Sequence, residues 1–383
     1  MRSVETITGA RLVLPDRCVA AALSISAGKI SRIGGNLPCP EAHADRAYTA
    51  PGCYVIPGLI DLHMQGFAGV DLSSSDDDDV ARMELALLAA GTTGYLATLG
   101  YTPNVLTAIL PHVNNDSGGA VMLGIYFEGP FINERRLGAI PAVNCLKPNY
   151  SLLRDIIDEA NGSLKIMTVA PELDGAIGLI EMLVEAGAAP ALGHTLCDYA
   201  QAMDGIAAGI RHTTHLFNAM TPLCHREPGA VGAALSSPRV TIELIADGIH
   251  IHPAILNLAI ALKGPDRTAV ITDATPYAGL CDRGHLTLFG KEVTVKDGAP
   301  RLADGTLAGS VLTPIQAVKN LVELAGLPLH TAVRMLTLTP AAVIGLDHVK
   351  GSIAPGKDAD LAILDENLDV QAVIIGGRLA WQR

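Results

Sequence analysis

Short apolar runs alternate with longer segments of helical periodicity through the middle of the chain. Apolar residues recur with a period near 3.6 at 80–90, 176–186, 253–263 and 314–325, which predicts helices there. Eight short apolar runs predict strands: 55–60, 94–99, 121–127, 165–169, 189–192, 212–214, 241–245 and 269–272. Strands that alternate with helices favour a parallel sheet, so the class is α/β. Eight of them fit a (β/α)8 barrel of the TIM type better than an open sheet.

Both ends of the chain have a different pattern from the middle. Residues 1–50 alternate apolar and polar side chains between glycine turns, as in ETITGARLVL and ALSISAGKISRIGG. The stretch 350–383, which contains GSIAPGKDADLAILDENLDVQAVIIGGRLAW, is similar. We therefore expect one small sheet domain built from residues 1–50 and 346–383, and a barrel over residues 51–345.

Four polar residues follow predicted strands at or just after the point where each strand ends. Glu128 follows the run 121–127, and His194, His215 and Asp273 stand at equivalent places along the chain. The carboxyl ends of barrel strands lie on one face, where barrel enzymes carry their active sites. We expect these four side chains to converge there.

The types of these four residues suit one metal ion. One carboxylate and two imidazoles, from Glu128, His194 and His215, match a Zn²⁺ site that keeps one position open for water. Asp273 would then act as the base for that water. Taken singly, each residue has a simpler explanation: a structural histidine, a salt bridge for Glu128, or a helix cap for Asp273.

The sequence after the first barrel strand offers further polar residues. Asp61, His63 and Gln65 alternate, so they share one face if the strand continues through them. His63 alone is better explained as a hydrogen-bonded structural residue, and Gln65 is a poor zinc ligand. His212 and His215 are three residues apart and face opposite sides of a strand, and His215 is predicted to face the barrel centre.

Several loops carry groups suited to a ligand. Arg226 and His250 lie in loops after strands, and arginine is suited to bidentate phosphate recognition, although Arg226 could instead pair with Glu227. The Gly-rich segment 302–310 precedes a helix and could contact a ligand. The acidic run 76–79 is predicted to cap a helix rather than to bind calcium.

Composition narrows the class of protein. The net charge of −12 disfavours nucleic acid and anionic membranes as partners, although a local Arg and His pocket can still bind a small anion. No apolar run approaches the ~20 residues that span a bilayer, and the N-terminal stretch lacks a signal-peptide core. The seven scattered cysteines predict reduced thiols. We therefore expect a cytoplasmic enzyme.

A set of motifs in this order resembles the N-acetylglucosamine-6-phosphate deacetylases of the amidohydrolase superfamily. The motifs are PGLIDLH, FEGPFIN, APE, LGHT, THLFNAM, REPG, ADGIH, TDAT and LAGS, and they extend over nearly the whole chain. The resemblance implies a (β/α)8 barrel with a small β-sandwich from the two ends. It also implies a homodimer in which a loop arginine, here Arg226, reaches the neighbouring subunit's site.

The resemblance also implies roles for individual residues. Glu128, His194 and His215 fall on the metal ligands of the family, and Asp273 falls on its catalytic carboxylate. The expected substrate contacts are Ala139, Ile140, Asn218, Ala219, Arg226, His250, Leu307 and Ala308. His63 and Gln65 are left as residues that support the metal ligands or form part of a second metal site.

Two positions depart from the family pattern. Many members carry His-x-His after the first strand and can hold two metals, whereas this chain reads HMQ, with Gln65 in the second position. The family also usually carries GAH after the FEGP segment, where the His contacts the substrate near its acetyl group. This chain reads LGAIP at 137–141, so Ile140 occupies that position and cannot donate a hydrogen bond.

The resulting expectation is removal of an acetyl group from N-acetylglucosamine 6-phosphate, with one divalent metal, Zn²⁺, per chain. Two alternatives stay open: a deacetylase for another N-acyl amino-sugar phosphate, and a sugar-phosphate-binding homologue with impaired catalysis. A cyclic amidohydrolase is disfavoured because Lys165 begins a strand, which is a poor position for a bridging carbamate.

Overall fold

The computed structural model describes residues 2–34, 46–74, 76–280, 286–288 and 291–383. Eight parallel strands succeed one another along the chain: Leu59–Met64, Thr92–Leu99, Val121–Phe127, Leu164–Val169, Ala189–Leu192, His212–Thr213, Ile242–Ile245 and Thr268–Ile271. The first six form one sheet and the last two another. Isolated parallel bridges join His212 to Thr241 and Met64 to Ala274, which link the two sheets at both edges. The α/β class is confirmed, and the strand order is consistent with the predicted barrel.

These strands are apolar on both faces because both faces are covered. All eight residues of Thr92–Leu99 are buried, and so are the six of Leu59–Met64. When both faces of a parallel strand are covered, hydrophobic residues follow one another without alternation. This burial explains why short continuous apolar runs in the sequence located the strands.

The predicted strand 55–60 is wrong as a single element. Tyr54–Pro57 pairs antiparallel with Leu361–Leu364, whereas Leu59–Met64 pairs with Thr92–Leu99 in the parallel sheet. Gly58 stands between them, and its N–H donates to the carbonyl of Asp360 at 2.9 Å. The apolar pattern is continuous across this junction, and the Pro-Gly pair is the local signal of the break.

The helices lie between the strands, as the periodicity predicted, but there are more of them. The described residues form ten α-helices: Asp77–Leu88, Val105–Ile109, Tyr150–Ala160, Ala176–Glu185, Tyr199–Ala208, Gly229–Ser236, Pro253–Lys263, Pro314–Glu323, Leu329–Met335 and Leu338–Val343. Short 3-10 turns occur at Leu110–His112, Ala142–Asn144 and Pro265–Arg267. The cap predicted for the acidic run is confirmed, since the Asp76 carboxylate accepts from the Asp79 N–H at 2.9 Å.

Strands from both chain ends share one seven-stranded sheet. In sheet order its strands are Arg2–Ser3, Arg378–Gln382, Val370–Ile375, Leu361–Leu364, Tyr54–Pro57, Arg11–Val13 and Cys18–Ala20. A four-stranded sheet contains Lys29–Gly34, Ala22–Ser26, Thr6–Thr8 and Ala47–Thr49. Residues of both sheets, such as Ile7, Leu23, Leu361 and Ile374, form one buried apolar cluster.

Two smaller sheets complete the described fold. One pairs Gly66–Phe67 with Val70–Asp71. The other consists of Leu286–Leu288, Lys291–Lys296 and Ala299–Arg301, which the sequence pattern did not predict. Its Lys291 ammonium donates to the carbonyl of Ala139 at 3.2 Å, so this sheet contacts the loop after the parallel strand Val121–Phe127.

Two predictions from composition can be compared with the structure. Among the described residues, no helix is long and apolar enough to cross a membrane. The described cysteines, Cys18, Cys53, Cys145, Cys197 and Cys224, are free thiols, as predicted. The predictions for Cys39 and Cys281 lie outside the described residues.

Candidate metal centre and active-site cavity

The four residues predicted from strand ends lie where the parallel strands finish. Glu128 directly follows Val121–Phe127, and its N–H donates to the carbonyl of Leu99 at 3.0 Å. His194, His215 and Asp273 each come two residues after the last residue of their strand. None of the four is more than 6% exposed. The structure therefore brings together the residues that the sequence singled out.

Three of these residues adopt left-handed backbone conformations. The φ angles are 47° at His194, 28° at His215 and 51° at Asp273. A residue with a side chain adopts this region at a cost of about 1–3 kcal/mol, so the surrounding contacts must hold it there. One such contact is the hydrogen bond from the Asp273 N–H to the carbonyl of His63 at 2.9 Å. Strained backbone at this point is a mark of a functional site that the sequence pattern did not reveal.

Glu128, His194 and His215 place three ligand atoms close together. The Oε1 atom of Glu128 lies 2.8 Å from Nε2 of His194 and 2.9 Å from Nε2 of His215, and the two nitrogens are 3.1 Å apart. Burial opposes ionisation of Glu128, but the two imidazoles hold the pKa of its carboxyl well below the usual range. The set is thus a buried carboxylate facing two imidazoles.

The hydrogen bonds around His194 show that this set fits a metal ion. The carbonyl of Arg136 lies 2.7 Å from Nδ1 of His194, and a carbonyl only accepts, so Nδ1 carries the hydrogen. In the neutral ring Nε2 then presents a lone pair to Glu128 and His215. Nδ1 of His215 is buried and has no hydrogen-bond partner among the described residues. Lone pairs that converge in this way are stabilised by a cation, and His nitrogen with carboxylate oxygen is a zinc donor set.

Asp273 lies beside the three candidate ligands and is held by two neighbours. The Gln65 amide donates to Oε2 of Glu128 at 3.2 Å and to Oδ1 of Asp273 at 3.3 Å, so it lies between the two carboxylates. Nε2 of His63 is 3.4 Å from the same Asp273 oxygen. Burial raises the pKa of the Asp273 carboxyl, and the charge of Glu128 raises it further. Such a carboxylate is suited to accept a proton.

Beneath the ligands lies a buried glutamate that the sequence reasoning missed. Oε1 of Glu243 is 2.8 Å from Nε2 of His212, and Oε2 is 3.3 Å from Nδ1 of His63. Oε2 also accepts from the His215 N–H at 2.9 Å. Burial opposes ionisation, but His212 and His63 lower the pKa of Glu243 to about 2. His212 therefore contacts Glu243 and not the metal set. The signal in the sequence was a glutamate inside the apolar strand Ile242–Ile245.

Asp61 fixes the first and last strands to each other. Its carboxylate accepts from the His63 N–H at 3.2 Å and from the Thr272 N–H at 3.3 Å, and the Thr272 hydroxyl donates to it as well. Burial raises the pKa of Asp61 to about 6. This carboxylate orders the backbone next to His63 and Asp273 without facing the cavity described next.

A cavity of about 390 Å³ opens above the candidate metal ligands. Most of the predicted substrate contacts line it: Ala139, Ile140, Asn218, Ala219, His250 and Leu307. Nδ1 of His250 is 2.6 Å from the Asp247 carboxylate, which orients the ring. The wall also contains Arg135 and Arg136, which the sequence analysis did not single out, and Thr306, which belongs to the predicted Gly-rich segment 302–310.

Four residues that the sequence analysis considered as possible site residues do not line this cavity. Arg226 lines a separate cavity of about 660 Å³ with Tyr199 and Glu227. Ala308 is fully buried, and its N–H donates to the carbonyl of Pro300. His63 is also fully buried, below the cavity wall. The Lys165 ammonium donates to the carbonyl of Gly162 at 2.9 Å, at the opposite end of its strand from the ligands, which agrees with the argument against a carbamate.

Comparison with known families agrees with this geometry. The model of the amidohydrolase family matches residues 54–380. This chain belongs to the amidohydrolase family. Enzymes of the family are metal-dependent, and the buried carboxylate and imidazoles of this amidohydrolase form a candidate metal-binding set.

Individual relatives cover almost the whole amidohydrolase. An N-acetylgalactosamine-6-phosphate deacetylase of Escherichia coli O157:H7 is 37% identical over 85% of this chain and 87% of the relative. An N-acetylglucosamine-6-phosphate deacetylase of Bacillus subtilis (strain 168) is 35% identical over 94% and 92%. The structure of a variant of the Mycobacterium smegmatis N-acetyl-D-glucosamine-6-phosphate deacetylase in complex with N-acetyl-D-glucosamine-6-phosphate superposes with a TM-score of 0.91 at 33% identity, over 99% of each chain.

Proposed function

We propose that this amidohydrolase hydrolyses N-acetylglucosamine 6-phosphate to glucosamine 6-phosphate and acetate. The observation that carries the proposal is the convergence of Glu128, His194 and His215 beside Asp273 at the floor of one cavity. Relatives that cover most of the chain are deacetylases of N-acetyl amino-sugar phosphates, which supports this reaction over other amide hydrolyses.

One divalent ion per chain, Zn²⁺, belongs to the proposal. Glu128, His194 and His215 would hold it, and Gln65 replaces a second histidine, which favours one ion over two. When bound, such an ion would make water more acidic and polarise the amide carbonyl. The protein's own contribution is to hold these ligands rigidly, through the carbonyl of Arg136 on His194 and through Glu243 on the backbone of His215.

Asp273 is proposed to move the proton. Its carboxylate takes a proton from the attacking water as the water oxygen bonds to the acyl carbon, and it returns a proton to the amine nitrogen as the C–N bond breaks. The Gln65 amide donates to Oδ1 of Asp273 and orients it for this step, and Nε2 of His63 lies 3.4 Å from the same oxygen.

The rest of the cavity is proposed to recognise the sugar phosphate. Asn218, Ala219 and Leu307 line the space beside the ligands, and His250 presents an imidazole oriented by Asp247. His250 and Arg226 are proposed to bind the phosphate, with Arg226 supplied by the neighbouring subunit. This arrangement accounts for the absence of Arg226 from the described wall of its own chain's cavity.

A homodimer follows from that role of Arg226. The helix Pro253–Lys263 supports it, since Ile255, Leu258 and Leu262 repeat at helical spacing and are 40%, 60% and 67% exposed. An apolar stripe of this kind is typical of a subunit interface. The mass of the protein in solution tests the proposal: twice the chain mass of 39.8 kDa agrees with it, and a monomer that is fully active contradicts it.

Replacing Arg226 with alanine is expected to weaken phosphate binding. The KM for the phosphorylated substrate should rise far more than the KM for its unphosphorylated analogue, since a charge-assisted hydrogen bond contributes about 1.5–3 kcal/mol. Steady-state kinetics on both substrates measure this difference. An equal rise for the two substrates would assign Arg226 another role.

The sugar epimer is a separate question within the proposal. The relative named for N-acetylgalactosamine 6-phosphate is as similar to this chain as those named for the glucosamine compound. Rates on N-acetylglucosamine, N-acetylgalactosamine and N-acetylmannosamine 6-phosphates, each compared by kcat/KM, test the proposed substrate. A clear preference for another epimer would keep the reaction and change the substrate.

A catalytically impaired homologue is the second candidate, and one residue favours it. Ile140 is apolar, 4% exposed and part of the cavity wall, at the position where the family resemblance implies a histidine near the acetyl group. Against this candidate, the three proposed ligands and Asp273 are all present and close together. A metal-loaded protein that binds the sugar phosphate tightly and releases no acetate would establish it.

The domain arrangement and the location complete the proposal. The two sheets formed by the chain ends are proposed to be one small β-sandwich domain, which extends past the predicted boundary at residue 50 to include Tyr54–Pro57, and the barrel is proposed to begin with the strand Leu59–Met64. The apolar cluster shared by the two sheets supports this division. A cytoplasmic location is proposed because the described cysteines are free thiols.

A further inference from the structure

The loop from Arg135 to Ile140 forms one wall of the active-site cavity, and Arg136 contributes to it in two ways. Its backbone carbonyl holds Nδ1 of His194 at 2.7 Å. Arg136 also belongs to the residues that line this cavity, as do Asn218 and His250. The side chain is thus available to a ligand while the backbone supports the metal centre.

The guanidinium of Arg136 lacks an acceptor where it is buried. Its Nε atom is shielded from solvent and has no hydrogen-bond partner among the residues that the structure describes. A guanidinium has donors only and stays charged, so an N–H group that is buried without an acceptor is unfavourable. An acceptor brought by a ligand would remove this penalty.

The carboxylates of the cavity do not fill that need. Oε1 of Glu128 contacts His194 and His215, and its Oε2 accepts from Gln65. Asp273 accepts from Gln65 as well. Among the described residues, no hydrogen bond or ion pair joins the Arg136 side chain to either carboxylate. A planar guanidinium matches the oxygens of a phosphate group.

We propose that Arg136 binds the phosphate of the substrate from within the same chain and is a specificity-determining residue. This inference rests on the proposed function. It adds to His250, on the same cavity wall, an arginine that needs no second subunit. Arg226, by contrast, lines a different cavity of its own chain.

A substitution of Arg136 can test phosphate binding by its side chain without removing the backbone contact that supports the metal ligand His194. The contact to His194 comes from the backbone carbonyl, which any residue at position 136 retains. Arg136→Met should therefore keep the metal and lose only the side-chain donors. Arg135→Met is the matched comparison, because Arg135 is exposed and its charge is more strongly screened.

The test uses the full-length, metal-loaded protein and two substrates. For Arg136→Met, the KM for N-acetylglucosamine 6-phosphate should rise about 10- to 100-fold, the loss expected for a charge-assisted hydrogen bond. The KM for N-acetylglucosamine, the metal content and kcat should change little. The KM of Arg136→Lys for N-acetylglucosamine 6-phosphate should lie between the KM values of Arg136→Met and the wild type. Arg135→Met should raise this KM less than Arg136→Met does.

Binding of inorganic phosphate, measured by calorimetry, separates the inference from the proposed function. If the wild type does not deacetylate the sugar phosphate, the proposed function fails, and a phosphate Kd at least about tenfold weaker in Arg136→Met still supports the anion site. An unchanged Kd overturns it. If the wild type is active, three results for Arg136→Met would each overturn the inference. They are an equal change of KM for the phosphorylated and unphosphorylated substrates, no change of KM, and loss of the metal.

Discussion

Replacing Asp273 with asparagine is expected to lower kcat by at least about 10²–10⁴-fold, the usual contribution of general acid–base catalysis. The amide is close to the carboxylate in size and can still accept a hydrogen bond, but it cannot take the proton of the attacking water. The same change removes the later protonation of the leaving amine. Metal content and substrate binding should remain close to those of the wild type.

A second buried carboxylate provides the comparison for this variant. Asp61 contacts the backbone of His63 and Thr272 and does not line the cavity. Asp61→Asn should therefore lower the melting temperature more, and kcat less, than Asp273→Asn. Both quantities are to be measured on the same preparations with the metal content. An Asp273→Asn protein that melts early but turns over normally would mean that this carboxylate only stabilises the loop.

Removal of the divalent metal is expected to abolish most turnover. The kcat of chelator-treated protein should fall at least about 10³-fold, because the charge stabilisation that a metal provides amounts to several kcal/mol. One equivalent of Zn²⁺ per chain should restore the activity. The melting temperature should fall as well, since a ligand that binds only the folded state stabilises it.

Metal content measured after dialysis tests the number of ions. The proposal requires one equivalent per chain, with Glu128→Gln reducing it because the variant loses a charged ligand. Two equivalents that persist would contradict the single site and would assign His63 to a second ion. Full activity in metal-free protein would remove the basis of the proposed reaction.

The positions of the site residues could be predicted from the sequence because the end of a short apolar run marks the end of a strand. Glu128 follows a buried apolar run, and the carboxyl ends of parallel strands lie on one face of a barrel, which predicted that the four residues converge. The backbone conformation was not predictable, since nothing in the local sequence shows that His194, His215 and Asp273 have positive φ. Those angles depend on contacts between distant strands.

The parts of the site that were missed depend on contacts between elements rather than on local pattern. Glu243 stands in an apolar strand, and only the structure shows that it contacts His63 and His212. Arg136 lies in a loop without periodicity, so neither its backbone contact with His194 nor its place in the cavity wall could be predicted from the spacing of residues. The sheet Leu286–Leu288, Lys291–Lys296 and Ala299–Arg301 was missed because two of its strands have only three residues, which is too short for a periodic pattern. The break at Gly58 was missed because both adjoining strands are apolar.

Product analysis with the metal-loaded wild type tests the central claim most directly. Incubation with N-acetylglucosamine 6-phosphate should release one acetate and one free amine for each substrate molecule consumed, while the Asp273→Asn protein, with equal metal content, should release almost none. Consumption without acetate, or no consumption of any N-acetyl amino-sugar phosphate by metal-replete wild type, would contradict the account.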